Sequence, residues 1–67
     1  MKTIDRLVMM ANQIAANLET DDNPVAATAE HIRLFWDPRM KQMISAYDGA
    51  GLSATAAAAV AGLNVAV

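Results

Sequence analysis

Two Asx-Pro dipeptides, Asn23-Pro24 and Asp37-Pro38, contain both prolines of the chain and punctuate it. The proline ring fixes a φ that suits the first position of a helix and forces the preceding residue into extended geometry. An Asn or Asp at that preceding position caps the free N–H groups of the new helix. Each dipeptide therefore ends what comes before it and starts a helix. Helices are predicted to begin at Pro24 and Pro38, and the earlier one is predicted to stop or bend sharply at Trp36–Asp37.

Apolar spacing fills in the rest. In residues 3–18, Ile4, Leu7, Val8, Ala11, Ile14, Ala15 and Leu18 recur at steps of three and four, which places them on one helical stripe. Thr3 is read as the N-cap, and Asp5 lies in the first turn, where the helix dipole favours an anion. Glu19, Thr20, Asp21, Asp22 and Asn23 form a polar run read as an exposed loop. In the second helix, Val25, Ala29, Ile32 and Trp36 overlap a second set, Thr28, Ile32 and Phe35, so its apolar face widens toward the end. Met40, Met43, Ile44 and Tyr47 stripe the third, which Asp48-Gly49 is expected to end through a left-handed Gly49. Ser53 is the candidate N-cap of an alanine-rich fourth helix running to about Gly62, with Leu52, Ala56, Val60 and Leu63 as its contact residues. No stretch alternates like a strand, and no repeat is present. The expected fold is all-α: a small bundle of three to four short helices in one domain, residues 1–67, with an alanine-rich helix and tail from about residue 53 to 67.

Such a bundle is marginal. A core in a chain of 67 residues seldom supplies more than about 3–5 kcal/mol, and small domains usually recruit disulfides, a metal or a partner. The chain has no cysteine, so disulfides, thiolate zinc sites and iron–sulfur ligation are excluded. His31 is the sole histidine, which excludes a multi-histidine site. A partner is the staple that remains. The hydrophobic fraction is 55 % but the aromatic fraction only 4 %; much of the remainder is alanine, whose small side chain lets helices approach closely and suits docking as well as a core.

The formal net charge is −2, and Lys2, Arg6, Arg33, Arg39 and Lys41 are dispersed along the chain. Nucleic-acid binding needs cations gathered on one face, so a helix-turn-helix with its turn at Trp36–Asp37–Pro38 is disfavoured. Residues 50–67 carry no ionisable side chain, yet Gly51, Ser53, Thr55, Gly62 and Asn64 make them a poor membrane span without flanking anchors. Lys2, Asp5 and Arg6 interrupt any secretory pattern, so a cytoplasmic location is expected. There is no Gly-rich phosphate loop, no nucleophile elbow and no carboxylate pair with an evident pocket. The chain is therefore not expected to be an enzyme by itself or to hold a cofactor.

The chemistry-bearing residues concentrate in His31-Ile32-Arg33-Leu34-Phe35-Trp36-Asp37-Pro38-Arg39-Met40. This run contains the only His, Phe and Trp. Trp and Arg are enriched among binding hot spots. Arg39 sits near a helix N-terminus, where a cation is disfavoured, so a carboxylate from a partner or from Asp37 should reward it. His31, Phe35, Trp36, Asp37, Pro38, Arg39 and Met40, with Asn12 and Gln13 upstream, are the candidate partner-binding residues. Plainer roles stand beside these: core for Trp36, helix N-cap for Asp37, core edge or solvent for His31, and solvent for Asn12 and Gln13. Met9, Met10, Met40 and Met43 suit either an adaptable contact surface or core filling.

Met10-Ala11-Asn12-Gln13-Ile14 followed by the His31–Met40 run resembles the delta subunit of bacterial NAD-dependent, molybdenum-containing formate dehydrogenase. The resemblance covers roughly residues 4–63. Phe-Trp-Asp-Pro-Arg-Met is its specific part, and the alanine-rich tail is far less diagnostic. It implies a cytoplasmic complex whose larger subunits hold the molybdenum cofactor, iron–sulfur clusters and FMN, oxidise formate to carbon dioxide and reduce NAD. It implies for this chain an accessory role, docked on the catalytic (alpha) subunit to support assembly, cofactor maturation or stability. A transient maturation chaperone for molybdenum cofactor insertion is the alternative. The resemblance carries over no catalytic residue.

Overall fold

A computed structural model describes residues 2–65, with side-chain environments described through residue 63. The chain forms four helices: α1 (Thr3–Asn17), α2 (Pro24–Phe35), α3 (Pro38–Ala46) and α4 (Ala54–Val65). No strand occurs among the described residues. The last two residues of the expected alanine-rich tail lie outside them.

Both Asx-Pro starts form as expected. Asn23 Oδ1 accepts the Ala26 N–H at 3.2 Å, and Asp37 Oδ1 accepts the Met40 N–H at 2.8 Å. Trp36 and Asp37 are both extended, with ψ of 142° and 164°. The steric demand of Pro38 thus ends α2 and turns the chain into α3.

Three helix ends differ from expectation. Lys2, not Thr3, holds the N-cap of α1. It has no side-chain oxygen to offer, and the cap works from the other side: the Asp5 carboxylate accepts the Lys2 backbone N–H at 3.2 Å, one half of a capping box. Helix α3 ends at Ala46 rather than at Gly49. Gly49 does adopt φ +89°, but it does so inside the following loop, as Gly51 does at +86°. Helix α4 continues past Gly62 to Val65, because one glycine costs a helix only about 1 kcal/mol.

The core is formed by Leu7, Ala11, Ala15, Ile32, Trp36, Ile44, Ala56 and Val60, with Ile4, Val8, Ile14, Met40, Met43, Tyr47, Leu52 and Leu63 packed around it. The stripe read on α1 is the stripe it buries. Helix α4 packs against all three others and most extensively against α2. Alanine explains that position, since Ala56 and Ala59 are fully buried and set no large side chain between the helices. The Cα radius of gyration is 10.6 Å, close to the roughly 11 Å of a compact chain of this length. Four helices therefore close around one core. On α2, however, the two overlapping apolar sets do not share one fate. Thr28, Ile32 and Trp36 are buried, whereas Val25 and Phe35 are exposed. A helix this narrow turns only about a third of its circumference to its neighbours.

The α3–α4 loop is held by polar contacts. Tyr47 Oη donates to the Ala50 carbonyl at 2.8 Å, and the Asp48 carboxylate accepts the Ala50 N–H at 2.9 Å. Asn12 on α1 then clamps it, donating from Nδ2 to the Gly51 carbonyl at 2.9 Å and accepting the Ser53 N–H at 2.8 Å. Ser53 Oγ in turn accepts the Ala56 N–H at 3.2 Å, which makes it the N-cap expected for α4.

Candidate protein-interaction surface

The α2–α3 corner sorts the aromatic residues by direction. Trp36, the C-cap of α2, is 5 % exposed and belongs to the core; Phe35, one residue earlier, is 73 % exposed. Consecutive helical side chains lie about 100° apart, so when one points inward the next is carried onto the flank. Leu34 is 59 % exposed on the same outer side. The His31 ring lies against Phe35, with centroids 4.7 Å apart and planes tilted by 39°. This i, i+4 pair restrains Phe35 in its exposed position.

A hydrogen bond ties the two sides of the corner together. Lys41 Nζ, from α3, donates to the Arg33 carbonyl at 3.1 Å. That carbonyl belongs to the last turn of α2 and has no helical N–H left to accept, so a cation there satisfies it and complements the dipole. Arg33 itself forms a fork with Glu30, at 2.6 and 3.2 Å, on an exposed surface.

Arg39 does not find its expected partner in Asp37, whose carboxylate caps α3. Among the described residues Arg39 has no hydrogen bond and no ion pair. It lines a shallow groove of about 390 Å³ with Thr3, Asp37, Met40 and Met43. The groove therefore brings the first turn of α1 beside the corner. Lys2 and Arg6 lie in that turn, and Arg33 and Lys41 flank the corner. The acids Asp5, Glu30 and Asp37 lie in the same turns, and Glu30 is paired with Arg33. At the opposite end of α1, Glu19, Asp21 and Asp22 lie at the α1–α2 connection, where the Thr55 hydroxyl donates to Glu19 at 3.4 Å.

The two upstream candidates part company. Asn12 spends its amide inside the chain, on Gly51 and Ser53. Gln13 is exposed, as are His31, Asp37 and Pro38; Met40 is half-buried. Leu34 was not among the candidates, although its place off the Thr28–Ile32–Trp36 stripe marks it as an outward residue.

A family model for the NADH-dependent formate dehydrogenase delta subunit, FdsD, matches residues 6–60. The chain belongs to this family. The match takes in the whole corner, the Asn12 clamp and the first turns of α4. No curated protein and no solved structure matches the chain. Among the described residues no group of three or more His, Asp or Glu side chains could hold a metal ion, and no helix is long and apolar enough to cross a membrane.

Proposed function

We propose that this delta subunit is a non-catalytic accessory component of a cytoplasmic, NAD-dependent formate dehydrogenase. It docks on the catalytic subunit and supports assembly, cofactor maturation or stability of the complex. The observation that carries this reading is the combination of the delta-subunit family match over residues 6–60 with a surface whose distinctive feature is exposed Leu34 and Phe35 beside the α2–α3 corner. Exposed large apolar groups of this kind suit a protein contact. The molybdenum cofactor, iron–sulfur clusters and FMN fall to the larger subunits. Iron–sulfur ligation rests chiefly on thiolates, and this chain has no cysteine.

Native mass spectrometry of the active complex tests the proposal. A permanent accessory subunit appears at fixed stoichiometry in the mature enzyme, and its omission lowers the yield or stability of the assembled complex while the active sites that do form turn over normally. Loss of the chain from complexes once molybdenum is fully loaded would replace this reading by that of a transient maturation factor.

A further inference from the structure

The methionines among the described residues divide into two pairs. Met9 and Met10 on α1 are 59 % and 42 % exposed. Met40 and Met43 on α3 are half-buried and pack against the core. Helix α3 fully buries one residue, Ile44. The rest of its apolar hold on the bundle is Met40, Met43 and, at its C-cap, Tyr47. The same two thioethers line the shallow groove of about 390 Å³ that also contains Thr3 and Arg39. Met40 and Met43 thus stand between the core and an open groove. A small oxidant dissolved in water reaches both sulfurs without any helix unfolding.

We infer that Met40 and Met43 are an oxidation site through which hydrogen peroxide loosens α3 from the bundle. The sulfur lone pair attacks one peroxide oxygen, and an S–O bond forms as the O–O bond breaks. The departing hydroxide takes the proton of the transferred hydroxyl and leaves as water. Sulfur loses two electrons, peroxide gains them, and the product is methionine sulfoxide. That group is polar and chiral where the thioether was apolar and adaptable. Kept against the core, its oxygen has no donor, which is costly. The donors stand on the groove side: the Thr3 hydroxyl and the Arg39 guanidinium, which has no hydrogen bond or ion pair among the described residues. Satisfying the oxygen draws the side chain out of the core, and α3 loses packing on the face that holds it. Helix α3 also carries Lys41, whose Nζ reaches the Arg33 carbonyl, so its loosening releases the α2–α3 corner. Met9 and Met10, being exposed, have little packing to lose.

The test treats the full-length chain with hydrogen peroxide and follows thermal melts, while peptide mass spectrometry locates the added oxygens. Oxidation of Met40 and Met43 is expected to lower the melting temperature by roughly 4–8 °C or more. Amide exchange in α3 and in the last turn of α2 should quicken about tenfold, ahead of α1. The double variant Met40→Leu with Met43→Leu keeps volume and apolarity while removing both sulfurs. It should hold its melting temperature through the same treatment, although Met1, Met9 and Met10 remain to be oxidised. Met9→Leu with Met10→Leu should lose as much as the wild type. Where the double α3 variant does not fold, Met40→Leu and Met43→Leu singly should each keep part of the protection. The inference is overturned if Met40 and Met43 stay unmodified while Met9 and Met10 are fully oxidised. It is equally overturned if the oxidised wild type melts where the untreated chain does, or if the α3 leucine variants lose as much as the wild type. An untreated chain without a cooperative melt has no α3 packing to lose and overturns it as well.

Discussion

Asn12 and Ser53 lie 41 positions apart in sequence and are joined at 2.8 Å, the Asn12 side-chain carbonyl accepting the Ser53 N–H. The same amide donates to the Gly51 carbonyl, so a single side chain on α1 fixes the approach of the chain to α4. Asn12→Ala should cost about 1–3 kcal/mol, because it leaves a backbone donor and a backbone acceptor to find water. Asn12→Asp, which retains the acceptor but places an anion against the Gly51 carbonyl, should also destabilise. Urea denaturation measures both losses, and hydrogen exchange at Ser53 should quicken in Asn12→Ala before the core amides do. Unchanged exchange at Ser53 would show that the clamp has no energetic weight.

Trp36 and Phe35 are neighbours with opposite burdens. Trp36→Ala should remove about 3–5 kcal/mol, comparable to all the stability expected of so small a core. The isolated chain should then be largely unfolded at room temperature. Phe35→Ala should stay within about 0.5 kcal/mol of the wild type. Thermal melts followed at the helical signal separate the two, and a Phe35→Ala variant that melts like Trp36→Ala would contradict the exposure of Phe35. Trp36→Ala is accordingly a poor probe of docking, since it removes the fold along with the surface.

The Thr28 hydroxyl is buried with no hydrogen-bond partner among the described residues. Thr28→Val keeps the branched shape and deletes the unsatisfied group, so it should stabilise by about 1 kcal/mol. A gain of that size raises the melting temperature of a chain this long by roughly 4–8 °C. A lower melting temperature would mean that the hydroxyl is satisfied in solution, by water or by its own helix.

Asp37 secures the start of α3 through the Met40 N–H. Asp37→Ala should cost about 1 kcal/mol, and Asp37→Ser or Asp37→Asn should restore most of it. Since Lys41 reaches the Arg33 carbonyl only when α3 is set at the corner, amide exchange in the last turn of α2 should rise in Asp37→Ala and fall back in Asp37→Ser. Equal destabilisation by all three substitutions would indicate a role other than capping.

The punctuation of this chain was readable before its fold was known. Asn23-Pro24, Asp37-Pro38 and Ser53 each do their work within four residues, through a ring that restricts its neighbour and an oxygen that meets a nearby N–H. The α1 stripe was equally plain, because seven positions at helical spacing leave no rival face. Gly49 marked a left-handed turn correctly but not which turn, since α3 could end anywhere before it. The His31–Met40 run located the candidate surface by composition. It left open whether Trp36 or Phe35 faced outward, because α2 offered two overlapping apolar sets of similar size.

Local sterics and capping thus settled where α2, α3 and α4 start, and apolar periodicity settled that the helices must pack. Packing itself settled the rest. Which flank of α2 is covered depends on where α4 lies, and α4 is small or apolar on nearly every side, so its contact residues Ala56, Val60 and Leu63 do not by themselves say which helix they meet. The meeting of Thr3 with Arg39 and Met43 along one groove, and the reach of Asn12 to Ser53, arise from bringing distant turns together. No rule confined to a few consecutive residues could have foretold either, because both are properties of how the helices are arranged in space.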